Sequence, residues 1–164
     1  MALIVHKYGG TSMGSVERIQ QVAKRVAKWA RAGHQMVVVP SAMSGETNRL
    51  LGLAREIAPA HSTLSTLREM DMIAATGEQV SVGLLSLALQ AEGMPAISFA
   101  GWQVPVHTDS AYTKARIRQI DDERVRAALG AGKVVIITGF QGIDDQGNIT
   151  TLGRGGSHTS GVAL

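Results

Sequence analysis

The sequence predicts an α/β fold built on a mainly parallel β-sheet that helices cover on both faces. Runs such as QMVVVP and KVVIITGF are apolar throughout, as expected of strands buried on both sides. Amphipathic segments alternate with these strands, and glycine-rich turns follow several of them. The length of 164 residues, with 45% hydrophobic and 18% charged residues, fits one globular domain.

The first three elements are a strand, a helix and a strand. An apolar run from Leu3 to Tyr8 predicts the first strand, and a glycine-rich turn follows it. The spacing of apolar side chains then predicts a helix that runs from Ser15, its N-cap, to about Arg31. QMVVVP predicts the second strand, which Pro40 ends.

The rest of the chain continues this alternation. A polar loop, SAMSG, leads into a helix. Two further helical segments, residues 64–75 and 79–90, are separated by a predicted turn at Thr76 and Gly77. MPAISFAG predicts a strand with WQVPVHT beyond it, and an aspartate pair introduces another helix. KVVIITGF is a further strand, and DDQGN predicts a hairpin turn before ITT.

Composition excludes several classes of protein. Aromatic residues make up 4% of the chain, too few for a platform that stacks single-stranded nucleic acid, and the net charge of +3 forms no basic stripe. The absence of cysteine excludes a disulfide scaffold, and the five histidines show no metal-ligand spacing. No stretch approaches the ~20 apolar residues of a membrane span, and no signal peptide is visible. We therefore expect a cytoplasmic protein with no nucleic-acid or membrane partner and no protein-held metal.

The segment KYGGTS, directly after the first strand, suggests a phosphate-binding turn. Ligands of α/β proteins bind at the carboxyl ends of strands, where glycines let backbone N–H groups approach an oxyanion. The following helix N-terminus and a lysine add positive charge. The residues with this arrangement are Lys7, Gly9, Gly10, Thr11 and Ser12. Their spacing matches neither standard nucleotide-binding glycine motif, so a tight turn with a solvent-reaching lysine is the alternative.

A similar turn, TLGRGGSHTS, lies near the other end of the sequence. Arg154 stands between Gly153 and a pair of glycines, where its guanidinium is suited to a carboxylate or phosphate. A surface-loop arginine is the alternative. Two such turns, each following a strand, favour a binding site over two unrelated loops.

Two other groups have structural alternatives that residue propensities favour. Ser41, Ser44, Thr47 and Asn48 follow the second strand, and Ser44 or Thr47 is suited to cap the next helix. Glu78, in AATGEQVS, stands at a predicted helix start, where an acid complements the helix dipole.

Five segments of the chain follow one another as in bacterial aspartate kinases. They are KYGGTSMGSVERI, VVVPSAMSGETNRLL, REMDMIAATGEQVS, TDSAYTKARI and GFQGIDDQGNITTLGRGGS. The chain resembles these members of the amino acid kinase superfamily over essentially its whole length. The resemblance implies an αβα three-layer sandwich of the amino acid kinase, or carbamate kinase-like, type. It also implies that residues 1–164 form the N-terminal portion of the kinase domain, truncated before the nucleotide-binding remainder and the regulatory ACT domains.

The resemblance further implies a phosphotransferase reaction. The γ-phosphoryl group of ATP, accompanied by Mg2+, passes to the side-chain carboxylate of L-aspartate and gives 4-phospho-L-aspartate, on the route to lysine, threonine and methionine. By motif, Lys7 stabilises the transferring group, Glu78 holds the substrate ammonium, and Arg154 clamps its α-carboxylate. The implied nucleotide contacts are Lys7, Gly9, Gly10, Thr11 and Ser12, and the further substrate contacts are Ser41, Thr47, Gly156 and Ser157.

One position departs from the family pattern G-R-G-G-S-D, because His158 stands in place of the aspartate. A neutral imidazole brings no negative charge to this catalytic position, and a protonated one repels Lys7. We therefore expect weak catalysis, an isolated chain that is inactive, and partly retained substrate binding. The alternatives are another carboxylate or carbamate kinase, and a non-catalytic module that binds an amino acid or assembles with a partner. An uncovered sheet edge predicts a homo-oligomer or self-association.

Overall fold

The computed structural model describes residues 1–60 and 63–153. Helices alternate with strands through the first half, and short strands dominate the second half. The helices are α1 (Val16–Arg31), α2 (Glu46–Ile57), α3 (Leu64–Ala91) and α4 (Glu123–Gly130). The strands are β1 (Leu3–Tyr8), β2 (Gln35–Pro40), β3 (Ala96–Phe99), β4 (Val106–Thr108), β5 (Ile117–Ile120), β6 (Val134–Ile137), β7 (Gln141–Ile143) and β8 (Ile149–Thr151).

The first sheet is parallel throughout and has the strand order β1-β2-β6-β3. Its side chains alternate between two hydrophobic cores. Met36, Val38 and Ile136 pack on the face covered by α1 and α3, whereas Val37 and Val135 pack on the face covered by α4. The predicted α/β fold with a mainly parallel sheet covered on both faces is confirmed, and the layers form an αβα sandwich.

A second sheet, with the order β5-β4-β7-β8, was not predicted. It is mixed, because β4 pairs in parallel with β7 while the two outer pairs are antiparallel. Its strands have three or four residues, too few to show a clear alternation of polar and apolar side chains. The DDQGN turn does join β7 to β8, with Gly147 at a positive φ of 80°, as the hairpin prediction requires.

The turn predicted at Thr76 and Gly77 is wrong, because α3 continues unbroken over 28 residues. The Thr76 hydroxyl donates to the Ile73 carbonyl within the helix, at 2.7 Å. Gly77 marks a close packing contact, since a Cβ built there would lie 3.1 Å from the Ala42 Cβ. Glycine lets the helix approach the loop after β2 this closely, and the backbone remains helical.

This long helix is also apolar enough to cross a membrane by length and composition, although the sequence was expected to contain no such stretch. Half of its most apolar window is buried within the protein. Val82, Leu85 and Leu89 pack against the parallel sheet, so the apolar composition is that of a core helix.

The predicted N-cap is present at the start of α1 but not at the start of α2. Ser15 caps α1, accepting a hydrogen bond from the Arg18 N–H at 3.2 Å, as predicted. The expected cap of α2 by Ser44 or Thr47 is wrong. Gly45 occupies that position with φ 77° and makes no side-chain cap. The hydroxyl groups around the start of α2 therefore serve no capping function there.

Candidate active site

Two loops leave adjacent strands at the carboxyl edge of the parallel sheet. Strands β1 and β2 end in register, with Tyr8 opposite Pro40, so the segments that follow start side by side. The Ser41 N–H donates to the Tyr8 carbonyl at 2.8 Å and ties the second loop to the first. This edge is where parallel α/β sheets place their ligands.

The glycine turn after β1 is wound by backbone hydrogen bonds. The N–H groups of Ser12, Met13 and Gly14 donate to carbonyls three residues earlier, at 3.1, 3.1 and 3.3 Å. Gly10 lies against the second loop, since a Cβ added to it would meet the Ala42 carbonyl at 3.4 Å. A methyl group at position 10 would touch the second loop, whereas glycine leaves the backbone here without a side chain beside the cavity.

Helix α3 brings Glu78 to the same edge. This carboxylate is 4% exposed and lies in the helix interior, so the alternative of a helix-start acid is wrong. The neighbouring Gly77 allows the helix to approach Ala42 closely, and a Cβ there would also lie 3.6 Å from Leu50 of α2. Glu78 is thus held at the loops by the packing of α3 against α2.

The two loops and helix α3 together line an open cavity of about 380 Å3. The cavity brings together seven residues that the sequence singled out: Gly10, Thr11, Ser41, Ser44, Thr47, Asn48 and Glu78. The rest of the lining consists of Ala42, Met43, Gly45 and Phe140. Residues from four separated stretches of sequence therefore share one cavity.

Phe140 lines the cavity although it lies far along the sequence from the loops that sequence analysis identified. It lies between β6 and β7 with a positive φ of 69°, an uncommon conformation for a residue with a side chain. Its position inside the apolar run KVVIITGF concealed it, because such a run predicts only a buried strand. The neighbouring glycines in TGFQG were the one available signal of an irregular backbone.

Three of the predicted phosphate-binding residues do not line this cavity. Lys7 is partly buried on β1, opposite Val39, one residue before the strand ends. A Cβ built on Gly9 would meet open space. Ser12 lies on the other side of the turn, in a separate pocket with Arg18 and Arg25. The four predicted site residues Arg154, Gly156, Ser157 and His158 lie outside the described residues.

The chemistry of the lining suits a small polar ligand that carries an ammonium group. Among the described lining residues Glu78 supplies a buried carboxylate, and Thr11, Ser41, Ser44 and Thr47 supply hydroxyls. A buried carboxylate is stabilised by a cation, and the surrounding hydroxyls can donate or accept hydrogen bonds. The glycine turn adds backbone next to the same space.

A second buried carboxylate, which sequence analysis did not identify, anchors the strand that leads to Arg154. Asp71 is 1% exposed and accepts hydrogen bonds from the N–H and hydroxyl of Thr151, at 2.8 and 2.6 Å. It also accepts from the Thr113 N–H at 3.0 Å. Burial raises the pKa of Asp71, and the hydrogen bonds from Thr151 and Thr113 oppose that rise. Asp71 and Glu78 lie two turns apart on α3, so one helix fixes both β8 and the cavity carboxylate.

The β7–β8 turn is organised by a third buried carboxylate, Asp144. Its Oδ2 accepts from the hydroxyls of Tyr112 and Ser110, at 2.8 and 2.9 Å, and its Oδ1 accepts from the Asn148 N–H at 2.9 Å. Burial alone would raise the pKa of Asp144, but the hydrogen bonds from Asn148, Tyr112 and Ser110 outweigh it and lower the pKa. This network holds the second sheet in register rather than forming part of the cavity.

The described residues contain no group of three or more histidine, aspartate and glutamate side chains that could hold a metal ion. Glu78 is the one carboxylate among the described residues that line the cavity. This part of the chain therefore does not provide a ligand set for Mg2+ by itself.

A glycine turn, a hydroxyl-rich loop and a helix-borne acid at the carboxyl edge of a parallel sheet define an α/β ligand-binding protein. The sequence profile of the amino acid kinase family matches residues 2–164, and the chain belongs to that family. The predicted resemblance to aspartate kinases is confirmed. An aspartate kinase of Pseudomonas fluorescens (strain SBW25) is 62% identical over all 164 residues.

Solved structures agree with this assignment. The aspartate kinase of Synechocystis is 49% identical and superposes with a TM-score of 0.81 over 98% of this chain. E. coli aspartokinase III, in complex with aspartate and ADP, gives a TM-score of 0.78 over 96% of the chain at 24% identity, a likeness of fold. The chain spans 39% of the Pseudomonas enzyme, 25% of the Synechocystis chain and 44% of the E. coli chain.

Proposed function

We propose that this chain is part of an aspartate kinase, an enzyme that transfers the γ-phosphoryl group of ATP to the side-chain carboxylate of L-aspartate. One observation carries the proposal: the buried Glu78 carboxylate and the glycine turn at Gly10 line the same cavity. An amino acid needs an anion for its ammonium group, and a phosphoryl donor needs backbone N–H groups and positive charge. The product is 4-phospho-L-aspartate, which precedes lysine, threonine and methionine.

The roles proposed for the individual residues are those that the family resemblance implies, and the shared cavity lining supports those of Glu78, Ser41 and Thr47. Glu78 holds the ammonium of aspartate, with Ser41 and Thr47 contributing hydroxyls around the substrate. Arg154 binds the α-carboxylate through its guanidinium, and the adjacent Gly156 and Ser157 complete that loop. With both charged ends of aspartate held, its side-chain carboxylate is free to attack the phosphorus atom. Positioning and charge neutralisation are the main requirements of phosphoryl transfer.

The phosphate groups of ATP lie at the turn after β1. Gly10 and Thr11 line the cavity at that turn, directly after Gly9, and Lys7 stabilises the charge of the transferring group from the end of the strand. The position of Gly10 in the cavity lining, beside the Ala42 carbonyl, supports this role. Mg2+ accompanies ATP as the nucleotide's own cation.

His158 should lower the rate of the proposed phosphoryl transfer in this chain. The family pattern carries a carboxylate at this position, and an imidazole in its place brings no negative charge. We therefore propose that the chain binds aspartate but turns over slowly or not at all when isolated. A cytoplasmic location and a homo-oligomeric or self-associating state are proposed together with this function.

The test is aspartate binding to the chain by calorimetry, paired with ATP-dependent formation of aspartyl hydroxamate. The substitution Glu78→Gln should weaken aspartate binding by about tenfold or more, since a charged hydrogen bond is lost. Glu69→Gln is the matched control, because Glu69 lies on the same helix with an exposed side chain. Equal affinity of the parent and Glu78→Gln would contradict the proposal.

A second arm addresses the reaction itself. In the full-length protein, His158→Asp should restore hydroxamate formation or raise it without changing the aspartate affinity greatly. Binding of aspartate without turnover in both forms of the full-length protein would identify a non-catalytic amino-acid-binding module. Binding of an N-acylated amino acid in preference to aspartate would instead favour another carboxylate kinase, because Glu78 would have no ammonium to hold.

A further inference from the structure

A separate pocket lies on the far side of the glycine turn from the main cavity. It has a volume of about 230 Å3 and is lined by Tyr8, Ser12, Arg18, Gln21, Val22 and Arg25. None of these residues lines the main cavity. The pocket is smaller than the sites that hold drug-sized ligands, so it suits a small molecule or ion.

Helix α1 supplies one wall of this pocket. Arg18, Gln21, Val22 and Arg25 follow one another at spacings of three, one and three residues, which places them along one face of the helix. The two arginines are two turns apart, about 10 Å along the axis. Their long side chains can therefore converge on a ligand held between them.

Hydrogen bonds orient the side chains that face the pocket. The Arg18 Nη1 donates to the Thr11 carbonyl at 2.8 Å, which fixes the guanidinium beside the glycine turn. The Tyr8 hydroxyl lies 3.1 Å from Nδ1 of His6. Burial raises the pKa of Tyr8, and the nearby Arg25 opposes that rise. The phenol therefore keeps its proton at neutral pH and remains able to donate a hydrogen bond.

The charge in this pocket is of one sign. No aspartate or glutamate lines it, and within the described part of the chain neither arginine takes part in an ion pair. The remaining polar groups are the hydroxyls of Tyr8 and Ser12 and the amide of Gln21, all able to donate. Two guanidinium groups beside three neutral donors make a concave surface suited to an anion with several oxygens.

We propose that this pocket binds a small, multiply charged phosphate-class anion. Each guanidinium can donate hydrogen bonds to oxygens of the anion, and the Ser12 and Tyr8 hydroxyls can donate to the same tetrahedral oxygens, because each oxygen accepts more than one hydrogen bond. The pocket is distinct from the place proposed for the phosphates of ATP, which faces the main cavity across the glycine turn. The proposal does not depend on the aspartate kinase reaction.

The test follows backbone amide shifts by NMR while the chain is titrated with inorganic phosphate. Saturable shifts should appear at Ser12, Gln21 and Arg25, and Arg18→Gln or Arg25→Gln should weaken this binding by about tenfold each. Lys24→Gln is the matched control, since it removes the same charge from an exposed position of α1 outside the pocket. It should leave the affinity nearly unchanged.

The other outcomes overturn the proposal. Shifts confined to Gly10, Thr11 and Ser41, indifferent to the arginine substitutions, would mean that phosphate binds only in the main cavity. An equal loss in Lys24→Gln would mean that the whole helix attracts anions without a defined site. Malonate, a dicarboxylate, should bind more weakly than phosphate at the same residues, and equal or tighter binding would refute the assignment to phosphate.

Discussion

Removal of the Asp71 carboxylate should destabilise the fold by disconnecting α3 from the second sheet. In the native protein this buried side chain accepts hydrogen bonds from the N–H and the hydroxyl of Thr151, a residue that is itself 2% exposed. The Asp71→Ala substitution leaves both donors without an acceptor in a place that water does not easily reach. The third donor, the Thr113 N–H, belongs to an exposed residue, so water can replace its partner.

The size of the effect follows from these contacts. Each buried donor left unsatisfied costs about 1–3 kcal/mol, and the two donors of Thr151 therefore contribute about 2–6 kcal/mol. Burial of the carboxylate has a desolvation cost, which also raises its pKa. The substitution removes this cost, so the net loss of stability is smaller than the sum for the two donors. We expect a net loss of about 3 kcal/mol in the free energy of unfolding, or roughly 6–12 °C in Tm for a chain of this size.

The assay is urea denaturation at neutral pH, followed by the fluorescence of Trp29 and Trp102. Asp71→Asn should lose about half as much as Asp71→Ala, because its amide keeps one acceptor oxygen. Asp145→Ala is the control, since that side chain is 83% exposed and its distant ion pair is worth little. A loss below about 1 kcal/mol in Asp71→Ala, or an equal loss in Asp145→Ala, would refute the reasoning.

Two further predictions concern stability. Gly142→Ala should destabilise the protein by about 3 kcal/mol or more, because its Cβ would lie 2.4 Å from the Val106 carbonyl, whereas Gly83→Ala in the open interior of α3 should gain about 0.5–1 kcal/mol. Denaturation midpoints compare the two, and similar values would contradict the packing argument. The pKa of Asp144 is lowered on folding, so its contribution to stability is present above its ordinary pKa of 3.8 and is lost as the pH falls through the lower folded value. Asp144→Asn should therefore reduce stability at neutral pH and flatten the acid limb of the stability profile, and a profile parallel to the parent's would show that this carboxylate does not drive the acid loss.

Sequence patterns predicted the parts of the fold that rest on local information. The apolar runs of β1 and β2 and the amphipathic spacing of α1 each lie within one stretch of chain, and Ser15 is a local cap. The second sheet could not be predicted in the same way. Its strands are short, and they are defined by pairing between residues far apart in sequence, such as His107 with Ile143.

The candidate site shows the same division. The glycine turn and the hydroxyl loop were identifiable because strand ends followed by glycines and hydroxyls are typical of ligand loops. Phosphate contacts were expected from Ser12 as well, but the winding of the turn carries that residue to the opposite side. Adjacent side chains in a tight turn point in different directions, and only the folded turn decides which of them face a given ligand.

The sequence by itself determined the class of fold, the family resemblance and the two residue types that meet in the cavity, a glycine and an acid. Only the tertiary structure shows that Thr76 and Gly77 continue a helix. The packing of this helix against neighbours such as Ala42 stabilises it by more than the weak helix propensity of glycine costs. Because the helix is unbroken, Glu78 lies in a buried wall of the cavity and not at the helix start that the sequence predicted. Local propensity amounts to about 1 kcal/mol per glycine, and the packing of a 28-residue core helix exceeds it.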